Sequence, residues 1–205
     1  RSRYKAGFKS SSMSRQADSM SQRMRYAELH CLTNFSFLQG ASHPEELVGR
    51  AAELGYAALA VTDRASLAGV VRAHTAAKEV GIKLLIGAEF TPEDAPPVML
   101  WASDRAAYGR LCRLITLGRR RAPKGECWVS LDDIAGHSDG LLAGVLYDEH
   151  RTGKSTALQD HRTETYHEAF GDRCYLLTEL HRGVDDEQRL DQLLAMSNQT
   201  RIPLA

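Results

Sequence analysis

The sequence contains no C-x-x-C pair. Its four cysteines, Cys31, Cys112, Cys127 and Cys174, lie far apart. That spacing excludes a zinc ribbon and a dithiol redox motif and fits a reducing, cytoplasmic setting. No apolar run approaches the ~20 residues that a membrane helix needs, and no signal-peptide pattern is present. Net charge is also lacking, because 26 Lys and Arg balance 26 Asp and Glu. Global charge therefore gives no argument for nucleic acid or an acidic membrane; only local patches can. A complete phosphate loop is missing too. "TGKST" (Thr152 to Thr156) has Asp148 where the upstream glycine belongs, and no strand leads directly into it. It reads as a polar loop feeding a helix.

What remains is a chain of 205 residues, 43% of them hydrophobic, enough for one domain with a real core, with or without a tail. Residues 1–24 look like the tail. The first 25 residues hold seven Lys/Arg, seven Ser and a single acid, Asp18, without apolar periodicity. Such a segment is expected to be disordered. The chain starts on Arg1 and ends on "RIPLA", an apolar run without a turn signal. It reads as a fragment cut inside a strand.

From Tyr26 onward, short apolar runs alternate with helical stretches. Strands are expected at "YAELH", "AALAVTD", "KLLIGAEF", "PVMLWAS", "GLLAGVLY" and "CYLLTEL", with "IPLA" opening one more. Helices are expected at 42–54, 66–80, 104–117, 156–170 and 185–198. Ser42 and Glu45 are spaced as a capping box for the first, and Asp104 suits an N-cap for the third. Continuous apolar strands separated by helices imply parallel strands covered on both faces. The fold class is therefore α/β, either a barrel or a long doubly wound sheet. In both, chemistry gathers at the C-terminal strand ends. Those ends carry His30, Asp63, Glu89, Asp104, Asp148 and the Glu179/His181 pair.

One stretch, "AELHCLTNFSFLQG" (Ala27 to Gly40), has the shape of a strand handing a histidine to a metal, followed by a polar turn. With the residues up to "IGAEF", it resembles the N-terminal PHP (polymerase and histidinol phosphatase) domain of bacterial family C DNA polymerases, in their error-prone, DnaE-like branch. "LCRLITLGRRRAPKGE" and "CYLLTELHRGVDDEQRLDQLLA" resemble later parts of the same domain. The likeness covers residues 25–205. It implies a distorted β/α barrel, incomplete at its C-terminus, with a metal-binding cleft at the C-terminal rim. It further implies a parent enzyme that polymerises DNA with Mg²⁺ in a separate domain and serves replication and damage-tolerant synthesis. The partners implied are the remaining polymerase domains, DNA through the parent enzyme, and other damage-tolerance proteins. No membrane is implied.

The family pattern is incomplete here. L-H-x-H reads Leu29-His30-Cys31-Leu32, so its second histidine is a leucine. T-D-H reads Thr62-Asp63-Arg64. Glu89 is kept, whereas a later histidine position reads Pro97. Leucine donates nothing to a metal, and an arginine stays charged and would repel one. His30 and Glu89 are thus expected as vestigial metal ligands, with no Zn²⁺ or Mn²⁺ cofactor in this fragment. Asp63, Arg64 and Glu89 are expected to close the cleft as an ion pair. Cys31 would face away from the cleft, because neighbouring strand residues point to opposite sides. The alternative function is a PHP-type metal-dependent phosphoesterase or 3′–5′ exonuclease. A third reading is a nucleic-acid-binding module using Arg119, Arg120, Arg121 and Lys124, placed just past the helix at 104–117.

Overall fold

The computed structural model describes residues 26–146, 156–180 and 183–205. The basic tail, Asp148, His181 and nearly all of "TGKST" lie outside the described residues. The elements in chain order are β1 (Ala27–Glu28), α1 (Pro44–Glu53), β2 (Ala58–Val61), α2 (Val70–Val80), β3 (Lys83–Phe90) and β4 (Val98–Ala102). They continue with α3 (Arg105–Arg121), α4 (Leu131–Ala135), β5 (Leu141–Leu146), α5 (Thr156–Phe170), β6 (Cys174–Leu177) and α6 (Asp186–Thr200). The six strands form one sheet in the order β1-β2-β3-β4-β5-β6. It is a mixed half-barrel with helices on its outside.

The all-parallel expectation fails at β4. That strand runs antiparallel to both β3 and β5, while β1, β2, β3 and the β5–β6 pair are parallel. The cause is chain length. Only residues 91–97, "TPEDAPP", join β3 to β4, and a parallel crossover needs about a dozen residues or more. The reversal restores itself at β5, so the C-terminal ends of β1, β2, β3, β5 and β6 share one rim with the start of β4. The final "IPLA" pairs with β6 through one isolated bridge and forms no strand of its own. Leu204 bridges Leu176 in parallel, and Ala205 N–H donates to Leu176 O at 2.9 Å.

Local boundaries shift by a few residues. The first helix is capped one position later than expected. His43 is the N-cap and Pro44 takes the first helical position, where its fixed φ is pre-set and its missing N–H costs nothing. Glu46, not Glu45, accepts from the N-cap backbone, at 2.7 Å from His43 N. The second helix starts at Val70 instead of Ser66, because Ala65 at φ 41° forces a turn there. Asp104 caps α3, accepting from Ala107 N at 2.7 Å. That helix runs one turn further than expected and takes in Arg119, Arg120 and Arg121.

Burial divides the side chains by strand face. Leu59 and Val61 pack outward with Val48 and Ala51 of α1 and with Ala73 and Ala77 of α2. Ala60, Met99, Trp101, Leu146 and Leu177 fill the inner face. Trp101 lies over two glycines. A Cβ at Gly87 would stand 2.8 Å from its ring, and one at Gly144 only 2.3 Å. Its indole N–H donates to Leu29 O at 3.0 Å, which ties the reversed strand to β1 across the barrel interior. Residues at the rim are thereby held against a packed layer.

Candidate functional site

The rim gathers residues from four strand ends. His30 follows β1, Asp63 and Arg64 follow β2, Glu89 closes β3, and Glu179 follows β6. They form a row of alternating sign. The His30 Nδ1 hydrogen-bonds Glu179 Oε1. The opposite ring nitrogen, Nε2, stands 3.4 Å from Glu89 Oε2, an ion-pair separation without the alignment of a hydrogen bond. The same carboxylate oxygen receives Arg64 Nε at 3.3 Å. The Glu89 side chain is 0% exposed, whereas Arg64 is 37% exposed and reaches the surface. A parallel bridge between Arg64 and Glu89 and the bond from Glu89 N to Asp63 O fix the two backbones together.

Burial alone would push the His30 pKa down. The hydrogen bond to Glu179 and the charges of Glu179 and Glu89 outweigh that and raise it to about 9. His30 is therefore an imidazolium at neutral pH, with both nitrogens protonated and turned toward carboxylates on opposite sides of the ring.

Asp63 does not take part in the ion pair. Its carboxylate is fully buried and accepts three hydrogen bonds from the loop after β1. Thr33 N donates to Oδ1 at 2.8 Å, Ser36 Oγ donates to Oδ1 at 2.7 Å, and Thr33 Oγ1 donates to Oδ2 at 2.7 Å. Ser36 Oγ in turn accepts from Arg64 N at 3.1 Å. The expectation fails because two hydroxyls and an amide of "LTNFS" lie closer to Asp63 than the guanidinium does. Gly40 completes the loop, since a Cβ there would sit 2.0 Å from Thr33 O. The polar turn in "AELHCLTNFSFLQG" is thus the cradle for Asp63. The sequence does not single out Thr33 and Ser36; their one signal is the density of hydroxyls and amides between two strands.

Cys31 packs with Leu59 and its neighbours on the helix side, and burial first, then the charges of Glu28 and Asp63, push its thiol up to about 11. Among the described residues, no group of three or more His, Cys, Asp or Glu side chains converges as metal ligands do.

The basic run is divided in space. Arg119 points back to the rim, where its two terminal nitrogens donate to Ala65 O and Gly125 O, each at 3.1 Å. Arg121 pairs with Asp133 at 2.5 Å. Arg120 and Lys124 are exposed. The three arginines are in the last turn of α3, not in a loop past it, and successive helical residues diverge by ~100°.

A half-barrel with its titratable groups on one rim is the architecture of the PHP domain. That family matches residues 28–180, and the chain belongs to it. Among curated proteins, the chain is similar to the error-prone DNA polymerase of Rhodopirellula baltica, 50% identical over 191 residues. That match takes in 88% of this chain and 16% of the relative. The error-prone DNA polymerase of Aromatoleum aromaticum is 52% identical over 181 residues, 87% of this chain and 17% of the relative. The chain thus spans about a sixth of these relatives' length. In fold it is similar to a Bifidobacterium adolescentis protein described as a metal-dependent phosphoesterase. The TM-score is 0.62 at 18% identity, covering 87% of this chain and 85% of that one. No described helix is long and apolar enough to cross a membrane.

Proposed function

We propose that this chain is the PHP domain of an error-prone DNA polymerase, a cytoplasmic enzyme of damage-tolerant DNA synthesis, and that it serves that enzyme as a scaffold. The parent would transfer nucleotides with Mg²⁺ held elsewhere, and the domain would pack against the remaining polymerase domains. The likeness to polymerases at about half identity supports the parentage. The row Glu179–His30–Glu89–Arg64 carries the scaffold reading.

A divalent ion fits this row poorly. A metal would have to compete with a proton for His30, which stands between two carboxylates. The Glu89 carboxylate is already shared by two cations, and Asp63 is committed to Thr33 and Ser36. Leu32 and Arg64 supply no donor to replace them. Internal cations take the place that Zn²⁺ or Mn²⁺ occupies in metal-dependent members. Elemental analysis after incubation with zinc or manganese checks this, with less than stoichiometric metal expected. Bound metal at one equivalent, lost in His30→Ala, would overturn it. The isolated chain is also expected to incorporate no labelled nucleotide.

The second reading is a PHP-type metal-dependent phosphoesterase or 3′–5′ exonuclease. Its support is the fold shared with the Bifidobacterium protein. Turnover of a phosphodiester model substrate that disappears in His30→Ala would favour it over the scaffold.

A further inference from the structure

We propose that helix α3 carries a groove for the sugar–phosphate backbone of duplex DNA, built by Arg113, Arg120 and Arg121 with His137 on its far wall. The sequence of α3, "RAAYGRLCRLITLGRRR", holds six arginines and no acid. Helical spacing sorts them. Ala107, Leu111, Leu114 and Gly118 are buried against the sheet. Arg113, Thr116, Leu117, Arg120 and Arg121 follow an i, i+3, i+4, i+7, i+8 stripe on another face. Together with His137 they line an open groove of about 580 Å³ without an acidic side chain in its wall.

A solvated helix face ordinarily mixes both signs, because i,i+4 pairs of opposite charge stabilise it. This one does not. Among the described residues, Arg113 and Arg120 have no ion-pair partner. Only Arg121 is tied down, to Asp133. His137 is held by Nδ1 donating to Asp133 O at 2.7 Å, which orients its ring in the wall. Seven residues separate Arg113 from Arg120, two turns or about 10.5 Å along the axis. On their long side chains the two guanidiniums are spaced to reach separate phosphates of one duplex face. A guanidinium grips two phosphate oxygens at once, a geometry that Arg offers and Lys does not. The charges of Arg113 and Arg120, which no carboxylate pairs among the described residues, also exceed the ~0.5 negative charge at a helix C-terminus. The groove therefore attracts an anion despite lying at the less favourable helix end.

The site differs from the contiguous patch that the sequence suggests. Arg119 turns to the rim and leaves the groove, while Arg113 and His137 enter it from 24 residues apart. The inference deepens the polymerase reading and rests on it for the choice of DNA over an acidic protein. Metal loading tests that reading, and a separate titration tests the groove.

The experiment is fluorescence anisotropy of a short fluorescein-labelled DNA duplex with the full chain, between about 50 and 200 mM salt. The expected result is affinity that falls with salt at a slope near −0.9 per phosphate contacted. Arg113→Gln and Arg120→Gln should each reduce that slope by about one. Arg113→Lys should restore the salt slope, because it returns the charge, but only part of the affinity, and thermal melts of all variants should match the parent chain. Three results would overturn the proposal. One is no salt-dependent binding. Another is affinity lost in Lys124→Gln but kept in both groove variants. The third is displacement by polyglutamate as effective as by DNA, which would make the occupant an acidic protein surface.

Discussion

His30 shows what one proton decides. A histidine that faces a metal must be neutral, whereas a histidine between two carboxylates gains a proton. The folded chain raises its pKa to about 9, from about 6.5 when unfolded. Below about pH 6.5 both states carry the proton, and the stabilisation is fully present. Between 6.5 and 9 only the folded state holds it, so stability falls as pH rises through that window. The urea midpoint should decline across this range, and Glu179→Gln should flatten the decline. An equal slope in the variant would sink the idea. Asp63 behaves differently, because its contribution comes from hydrogen bonds. Asp63→Ala leaves the Thr33 amide and the Thr33 and Ser36 hydroxyls without their acceptor in a buried loop. Each unmade bond costs ~1–3 kcal/mol before relaxation, so a loss of about 3 kcal/mol is expected by chemical denaturation. At this scale the sequence revealed that His30, Arg64 and Glu89 belong to one cleft. It did not reveal that Asp63 binds the loop, since a one-letter code does not rank a hydroxyl against a guanidinium.

Elements are stabilised at their ends and at close approaches. Asp104 accepts from Ala107 N and starts α3. Asp104→Ala should cost about 1 kcal/mol and leave the oligomeric state unchanged, as read from thermal melts with sedimentation. The reversed strand depends on a different device. Trp101 lies flat because Gly87 and Gly144 carry no Cβ beneath it. Gly144→Ala would push a methyl to 2.3 Å from the indole, and overpacking of this kind costs ~1–3 kcal/mol. A red-shifted emission from Trp101 should accompany it, whereas Trp128 is half-exposed already. An unshifted spectrum with unchanged stability would count against this account. Helix and strand existence was legible at this scale, because apolar runs and caps are local. Strand direction was not, although the seven-residue link between β3 and β4 held the clue.

The half-barrel as a whole has an inner face that is only partly covered. An open groove of about 720 Å³ runs beneath the sheet, walled by Leu29, Leu85, Trp101, Leu142, Tyr175 and Ala205. Apolar surface of that extent promotes association. The folded chain should bind a fluorescent apolar dye and self-associate with rising concentration in sedimentation velocity. A dye-free monomer with a cooperative melt would contradict this. The sequence by itself determined the α/β class, the strand and helix inventory, and the family, because periodicity and motif order are properties of neighbouring residues. Against the metal pattern that the family resemblance implies, it reads Leu32 and Arg64. Only the tertiary structure decided which groups meet. It set His30 between Glu179 and Glu89, 149 and 59 residues away, gave Asp63 to Thr33 and Ser36, and split one basic run between the rim and the α3 groove. The physical reason is that charge pairing depends on distance and direction through space, which chain order does not specify.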